Sequence, residues 1–334
     1  MLDSPRILVT GATGFLGRHL IPILADKYPK LTALVRENSD VRQLKELGVR
    51  LYYADLSKGS LIKDVPEGVD IILHLAALMS DKDHLPYAEF RKVNVEGTLN
   101  LLKFAGSSIR QFILVSTVGV YGATTSQGFD EDAPYGKRLS KYERSKAEAE
   151  EAALGFCRRR NLNLTILRIG QLYGPGMKYG WPQVLRNIEE GRMYLLGTAD
   201  NLLHLTYVSD AVKGILLSIN NSNSYGKAFN ICAREPSRVK DIFTEMAGQL
   251  GRPLAGSLPL WPVYFLAVVL EIFPRKLKPN RLKYLDTHRL DFFRFDHAYK
   301  IERAGEILGY VPEVDLKSGV SRLLEWYRGS KGGN

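Results

Sequence analysis

The chain has 334 residues, of which 45% are hydrophobic and 25% charged, and a formal net charge of +10; this is enough for one large core or two unequal ones. Cys157 and Cys232 lie far apart without C-x-x-C, and the histidines lack H-E-x-x-H spacing, so no disulfide framework or metal site is expected and a reducing compartment is the default. The positive charge comes in short clusters, Arg158 to Arg160 and Arg275 to Lys283, with no zinc-finger or RNA-recognition signature beside them, so no nucleic-acid partner is expected.

An apolar strand is entered by Ile7, leaving no room for a signal-peptide core, and a cytoplasmic location is expected. Strands are predicted at 6–10, 31–35, 49–53, 69–75, 111–117 and 164–169. Their Val, Ile and Leu runs suit strands covered on both faces, hence a parallel sheet. Helices are predicted near 15–27, 40–47, 86–106 and 137–160. This alternation predicts an α/β fold, a Rossmann-type doubly wound parallel sheet with right-handed crossovers. After the Gly- and Pro-rich "GQLYGPGMKYGWP", a helix near 208–219 and a strand at 227–232 return to the sheet. Later helices are predicted near 236–250, 260–273, 298–308 and 316–328. The expected division is a dinucleotide-binding domain over 1–170, rejoined by 203–233, and a smaller, mainly helical C-terminal substrate domain from 171–202 and 234–330.

"VTGATGFLGRHL" joins the first strand to the first helix, with Gly11, Gly14 and Gly17 spaced G-x-x-G-x-x-G. A tight turn under a pyrophosphate needs missing side chains, and the helix N-terminus supplies amides and a favourable dipole. The loop contacts expected for the cofactor are Gly11, Thr13, Gly14, Phe15, Leu16 and Gly17. At the end of the second strand, Arg36 stands where an acid would meet the ribose hydroxyls, and its fork suits a 2′-phosphate. NADP(H) is therefore the preferred cofactor; Glu37 next door keeps NAD(H) open. Asp55 and Leu56, after the third strand, are expected at the adenine edge, and Ala76, after the fourth, where small residues let a cofactor pass.

"SKYERSK" puts Tyr142 and Lys146 one helical turn apart on one face. Alone, that spacing fits an exposed helix as well as a catalytic pair. A free tyrosine, with a pKa of about 10, is a poor base at neutral pH, and a nearby ammonium favours its phenolate. Asn94, in "KVNVEGT", could support such a site or simply be a structural helix residue.

"TGATGFLG", "YADLS", "HLAA", "VNVEGT", "LVSTVGVYG" and "YERSK" occur in the order and spacing of the extended short-chain dehydrogenase/reductase family, which the chain resembles over most of its length. The resemblance implies that Tyr142 is the general acid/base, that Lys146 holds the nicotinamide ribose and that Thr117 hydrogen-bonds the reacting oxygen, with Ser116 as a neighbour. It also makes a homodimer an expectation. Sugar-nucleotide members carry Asn before "YGP" and an Arg seven residues before the Asp of "V-x-D". Here those places hold Gln171 and Leu203, which removes a diphosphate clamp. "NLLHLTYV" instead resembles the 3β-hydroxysteroid dehydrogenase and sterol-4-carboxylate branch, and "YERSKAEAE" the dihydroflavonol-reductase-like branch. Gln171 and Tyr173 are the expected substrate contacts.

These readings predict an oxidoreductase moving hydride between nicotinamide and a secondary alcohol or ketone of an apolar, steroid-like or polyketide-like substrate. The alternatives are a nucleotide-sugar epimerase or dehydratase and a non-catalytic NADP-sensing protein. The apolar stretch "LPLWPVYFLAVVLEIF", over 258–273, reads either as a core helix of the small domain or as a lid that rests on a membrane. In the second case peripheral membrane contact would run through 258–283, with Arg275 to Lys283 facing anionic headgroups.

Overall fold

The computed structural model describes residues 4–58, 68–105, 109–122, 128–137, 139–273 and 285–331. The strands of the large sheet are β1 (Ile7–Thr10), β2 (Leu31–Val35), β3 (Arg50–Tyr53), β4 (Ile71–His74), β5 (Gln111–Thr117), β6 (Leu164–Ile169) and β11 (Lys227–Ile231). Between the last two come β7 (Gln171–Tyr173), β8 (Tyr194–Leu196), β9 (Leu202–Leu203) and β10 (Leu205–Tyr207); β12 (Ser237–Arg238) and β13 (Gly256–Leu258) follow. The seven-stranded order is β11-β6-β5-β4-β1-β2-β3, parallel throughout. This is the doubly wound, Rossmann-type sheet read from the alternation. Every residue of β1, β2, β4 and β6 is buried, which is why these strands carry no polar alternation. Strand order reverses between β1 and β4, where Thr10 lies opposite His74, and ligands of such sheets bind beyond that reversal.

The helices are α1 (Phe15–Lys27), α2 (Arg42–Glu46), α3 (Tyr87–Phe90), α4 (Gly97–Ala105), α5 (Lys141–Arg160) and α6 (Trp181–Glu189), then α7 (Val208–Ser218), α8 (Val239–Leu250), α9 (Leu260–Glu271), α10 (Thr287–Asp291) and α11 (Leu316–Lys331). On one face of the sheet, Leu20, Ile21 and Leu24 of α1 and Ala211 and Ile215 of α7 pack with Val9 and Phe229. On the other, Leu101 and Leu102 of α4 and Ala153 and Cys157 of α5 pack with Ile72, Phe112 and Leu114. A separate core joins Leu185 of α6, Phe243 and Met246 of α8, and Leu323 and Leu324 of α11. Each buried Leu, Ile, Val, Phe or Met among them contributes about 1.5–3 kcal/mol over its exposed state. α7 and β11 return to the large sheet, whereas β7 pairs with β10 and β9 with β12 in small ladders beside it.

Helix ends follow local chemistry. Ser140 and Glu143 form a capping box that starts α5, and Asn161, at φ 53°, ends it in the left-handed conformation. Arg158 to Arg160 are exposed in its last turn, where they complement the helix dipole. Three predicted helices are corrected. The one expected at 236–250 begins at Val239, because Ser237 and Arg238 pair with Leu203 and Leu202. At 298–308 only 302–308 are helical, ending in the π-helical Ala304–Leu308; Tyr299 bridges to Phe129 instead. The helix at 86–106 is interrupted by a π-helical segment, Arg91–Glu96. The core-helix reading of 260–273 also fails, since Ala267 is the one fully buried residue described for α9. Of the stretch expected to face a membrane, residues 274–283, with Arg275, Lys276, Lys278, Arg281 and Lys283, lie outside the described residues.

Candidate active site

The loop after β1 is shaped by two close approaches. Gly11 sits at φ +74°, and a Cβ there would lie 2.7 Å from the Ala76 nitrogen. A Cβ on Gly17 would lie 2.3 Å from the Gly11 carbonyl oxygen. The loop is thus pressed against both the end of β4 and the first turn of α1. Gly14 caps α1 without a side chain, and no acid occupies its first turn, so the helix start presents amides and positive potential outward. These features fit a dinucleotide pyrophosphate. The Thr13 carbonyl accepts from Arg18 Nε at 3.0 Å, while Phe15 and Leu16 pack against the small core.

Arg36 is exposed just past β2, and its amide donates to Ser39 Oγ at 3.1 Å. Burial pushes the Asp55 carboxyl up, but the Ser57 amide and hydroxyl at 3.0 and 2.8 Å, with Lys58 and Arg36, outweigh it and hold it below the usual range. Leu56 is buried against Gly97, and its carbonyl accepts from Asn100 Nδ2 at 3.0 Å. Ala76, half-buried, donates its amide to Thr10 Oγ1 at 3.2 Å. Arg36, Asp55, Leu56 and Ala76 all follow strands of one sheet, beyond the same edge.

Lys146 is 2% exposed, and its ammonium donates to the Val115 carbonyl at 2.8 Å. Burial, only partly offset by Glu150, pushes its pKa down to about 8. Two residues past Val115, Thr117 Oγ1 accepts from the Gly119 amide at 3.1 Å, which leaves the hydroxyl proton free to donate. A Cβ on Gly119 would lie 2.8 Å from Glu143 Cγ, so the start of α5 rests on the turn after Thr117. Tyr142 is half-buried, and burial, with the Glu143 charge, raises the pKa of its phenol. The chain thus brings Tyr142, Lys146 and the end of β5 together. Ser116 is buried, and its hydroxyl has no partner among the described residues.

Asn94 lies in the π-helical segment, 1% exposed. Its side chain accepts from the Leu78 amide at 2.7 Å and donates to the Leu78 carbonyl at 3.1 Å and Ser145 Oγ at 2.8 Å. It touches the site through α5, as a positioning residue. Sequence reasoning missed what lies behind it. The Asn94 carbonyl accepts from Thr98 Oγ1 at 2.6 Å, and His74 sits between Thr98 Oγ1, 2.9 Å from Nε2, and Thr10 Oγ1, 2.7 Å from Nδ1. Burial, with the nearby Lys146 charge, pushes the His74 pKa down to about 3. The one signal was a histidine inside an otherwise apolar strand, "IILHL".

The two substrate contacts separate. Gln171 is exposed, at the start of β7. Tyr173 is corrected: it is 2% exposed, edge-on to the Tyr207 ring at 5.3 Å, and a Cβ on Gly319 would collide with its hydroxyl. It is a core residue of the small unit, because β7 turns that side chain toward α11. Leu203, at the place where sugar-nucleotide members carry an arginine, is likewise buried in that core.

The chain is similar to known proteins over nearly its whole length. The chain is 29% identical to sterol-4-alpha-carboxylate 3-dehydrogenase, decarboxylating, of Candida albicans, over 96% of this chain and 97% of that one. It is 26% identical to 2-alkyl-3-oxoalkanoate reductase of Stenotrophomonas maltophilia, over 95% and 98%. In fold it matches DesIV, the dTDP-glucose 4,6-dehydratase of Streptomyces venezuelae crystallised with NAD and TYD, with a TM-score of 0.77, 24% identity and 98% coverage of both chains. The model of the NAD dependent epimerase/dehydratase family matches residues 7–232, and the chain belongs to that family.

Proposed function

We propose that this protein moves hydride between a nicotinamide dinucleotide and a secondary alcohol or ketone of an apolar, steroid-like or polyketide-like substrate. The observation that carries the reading is Lys146, buried and held to the Val115 carbonyl, one helical turn from Tyr142 and beside the strand that ends at Thr117. The dinucleotide, when bound, supplies or accepts the hydride. In the reducing direction Tyr142 gives its phenolic proton to the carbonyl oxygen, and its raised pKa keeps that proton in place beforehand. In the oxidising direction the Lys146 ammonium favours the phenolate that takes the proton back. The free proton of the Thr117 hydroxyl orients the same oxygen.

An apolar substrate is supported by Leu203 and Gln171, which offer no cationic clamp for a diphosphate. Similarity to the sterol dehydrogenase, at 29% identity, supports it beside nucleotide-sugar enzymes matched at 26%. The exposed Arg36 supports NADP(H) over NAD(H). The test follows NADPH fluorescence over sterol ketones, 3-oxoalkanoates and nucleotide sugars. Net consumption on an apolar ketone, abolished in Tyr142→Phe with NADPH binding intact, is the expected result. Turnover of a nucleotide sugar without net consumption, or near-normal rates in Tyr142→Phe, would sink the reading.

A further inference from the structure

α9 carries its large apolar side chains on the outside. Trp261 is 76% exposed, Phe265 67%, Val268 43% and Ile272 77%. Their spacing of four, three and four residues puts them in one stripe along the helix. Ala267, which faces the protein, is 0% exposed. Leu258 before the helix and Phe273 after it, 41% and 51% exposed, lengthen the apolar surface at both ends. A contiguous apolar stripe left in water is costly unless something covers it.

We propose that this stripe docks on the surface of a bilayer containing anionic lipid. Twelve helical residues span about 18 Å, too short for a hydrocarbon core of about 30 Å, and no helix among the described residues is long and apolar enough to cross a membrane. The stripe therefore lies in the interface plane, with Trp261 and Phe265 at headgroup depth.

Charge selects this occupant. The sequence between Phe273 and Leu285, "PRKLKPNRLKY", holds five Lys or Arg and no acid, and the whole chain carries a formal +10. Its flanks are tied together, since the Thr287 amide and hydroxyl donate to Glu271 Oε1 at 2.7 and 2.9 Å. Each Lys or Arg near an anionic surface adds about 1 kcal/mol, or about fivefold, to binding. A second copy on the same stripe is the competing occupant, and vesicle binding separates the two.

The surface also lies next to the chemistry. α10 begins at Thr287, and its His288 Nε2 lies 3.1 Å from Oε2 of Glu143, the residue after Tyr142. A substrate dissolved in the bilayer would meet the site from that side. The docking itself stands apart from the substrate reading, because vesicle binding needs neither substrate nor dinucleotide.

The experiment is co-sedimentation of the full chain with vesicles of phosphatidylcholine alone and of phosphatidylcholine with phosphatidylglycerol. Wild type is expected on the anionic vesicles, with binding weakened by salt. Trp261→Glu with Phe265→Glu should bind at least about tenfold more weakly, while Val311→Ser, at another exposed apolar position, should not change. Trp261 emission should shift to the blue on binding, and Trp261→Phe should keep binding but lose the shift, since Trp181 is 4% exposed and Trp326 packs against the small core. The proposal is overturned if wild type stays in the supernatant or if the double variant sediments equally. It is also overturned if wild type is a dimer that the double variant dissociates, without vesicle binding. Ile272→Asp gives the same readings if the double variant folds poorly.

Discussion

Asn94 Nδ2 donates to Ser145 Oγ at 2.8 Å, joining the π-helical segment 91–96 to α5 one residue before Lys146. The same asparagine holds both the amide and the carbonyl of Leu78. π-turns are costly and recur where a helix must aim one group. Asn94→Ala is expected to lower kcat about 10- to 100-fold, through misplacement of Tyr142 and Lys146, with dinucleotide Kd changed less than about threefold. Steady-state kinetics and dinucleotide titration of one preparation check the split. Equal loss of both would mark Asn94 as merely structural.

The Thr98 hydroxyl donates to the Asn94 carbonyl, so toward His74 it can only accept. His74 therefore carries its proton on Nε2 and accepts at Nδ1 from Thr10. Its folded pKa of about 3 lies below the unfolded value near 6.5, so between these pH values the unfolded chain binds more protons. Stability from this group is whole above pH ~6.5 and is lost as pH falls toward ~3. Urea unfolding at neutral pH and near pH ~4.5 should show a larger loss for wild type than for His74→Gln. Nitrogen chemical shifts of His74 should hold the neutral pattern throughout.

Gly17 and Gly248 are both helical glycines with opposite outcomes. A Cβ at Gly17 would lie 2.3 Å from the Gly11 carbonyl, whereas nothing lies within 4 Å of one at Gly248. Gly17→Ala should cost about 1–3 kcal/mol and weaken dinucleotide binding by displacing the loop. Gly248→Ala should stabilise by about 0.5–1 kcal/mol through helix propensity. Denaturant melts of the two variants check the contrast.

Arg36→Ala should raise Kd for NADPH about 10- to 100-fold, the loss of one charge-assisted fork, and leave NADH within about twofold. Isothermal titration with both dinucleotides measures the ratio. Equal Kd values in wild type would remove Arg36 from the phosphate.

Much was legible because periodicity and motif spacing are local. The runs at 31–35, 111–117 and 164–169 form strands with those bounds, since strands covered on both faces are dominated by Val, Ile and Leu. The start of α5 was placed at 137 and lies at Lys141, where Ser140 and Glu143 form a capping box complete within four residues. Where neighbours are distant, local reading failed. Residues 298–300 have a plausible helical pattern, yet Lys300 donates its amide to Phe129 and Tyr299 bridges to the same residue, and those pairings win. Tyr173 looked like a substrate contact by motif position and is buried, because Gly319 leaves room for its ring.

The sequence by itself determined the α/β alternation, the glycine loop and the spacing of Tyr142 and Lys146, which depend on residue type and on periods of two and 3.6. Only the tertiary structure decided that Lys146 is buried on the Val115 carbonyl, that Asn94 and Thr98 fix the proton of His74, and that the stripe of α9 faces outward. Burial and hydrogen-bond partners belong to pairs of residues far apart in the chain. No local pattern states them; the packing of the sheet and its helices does.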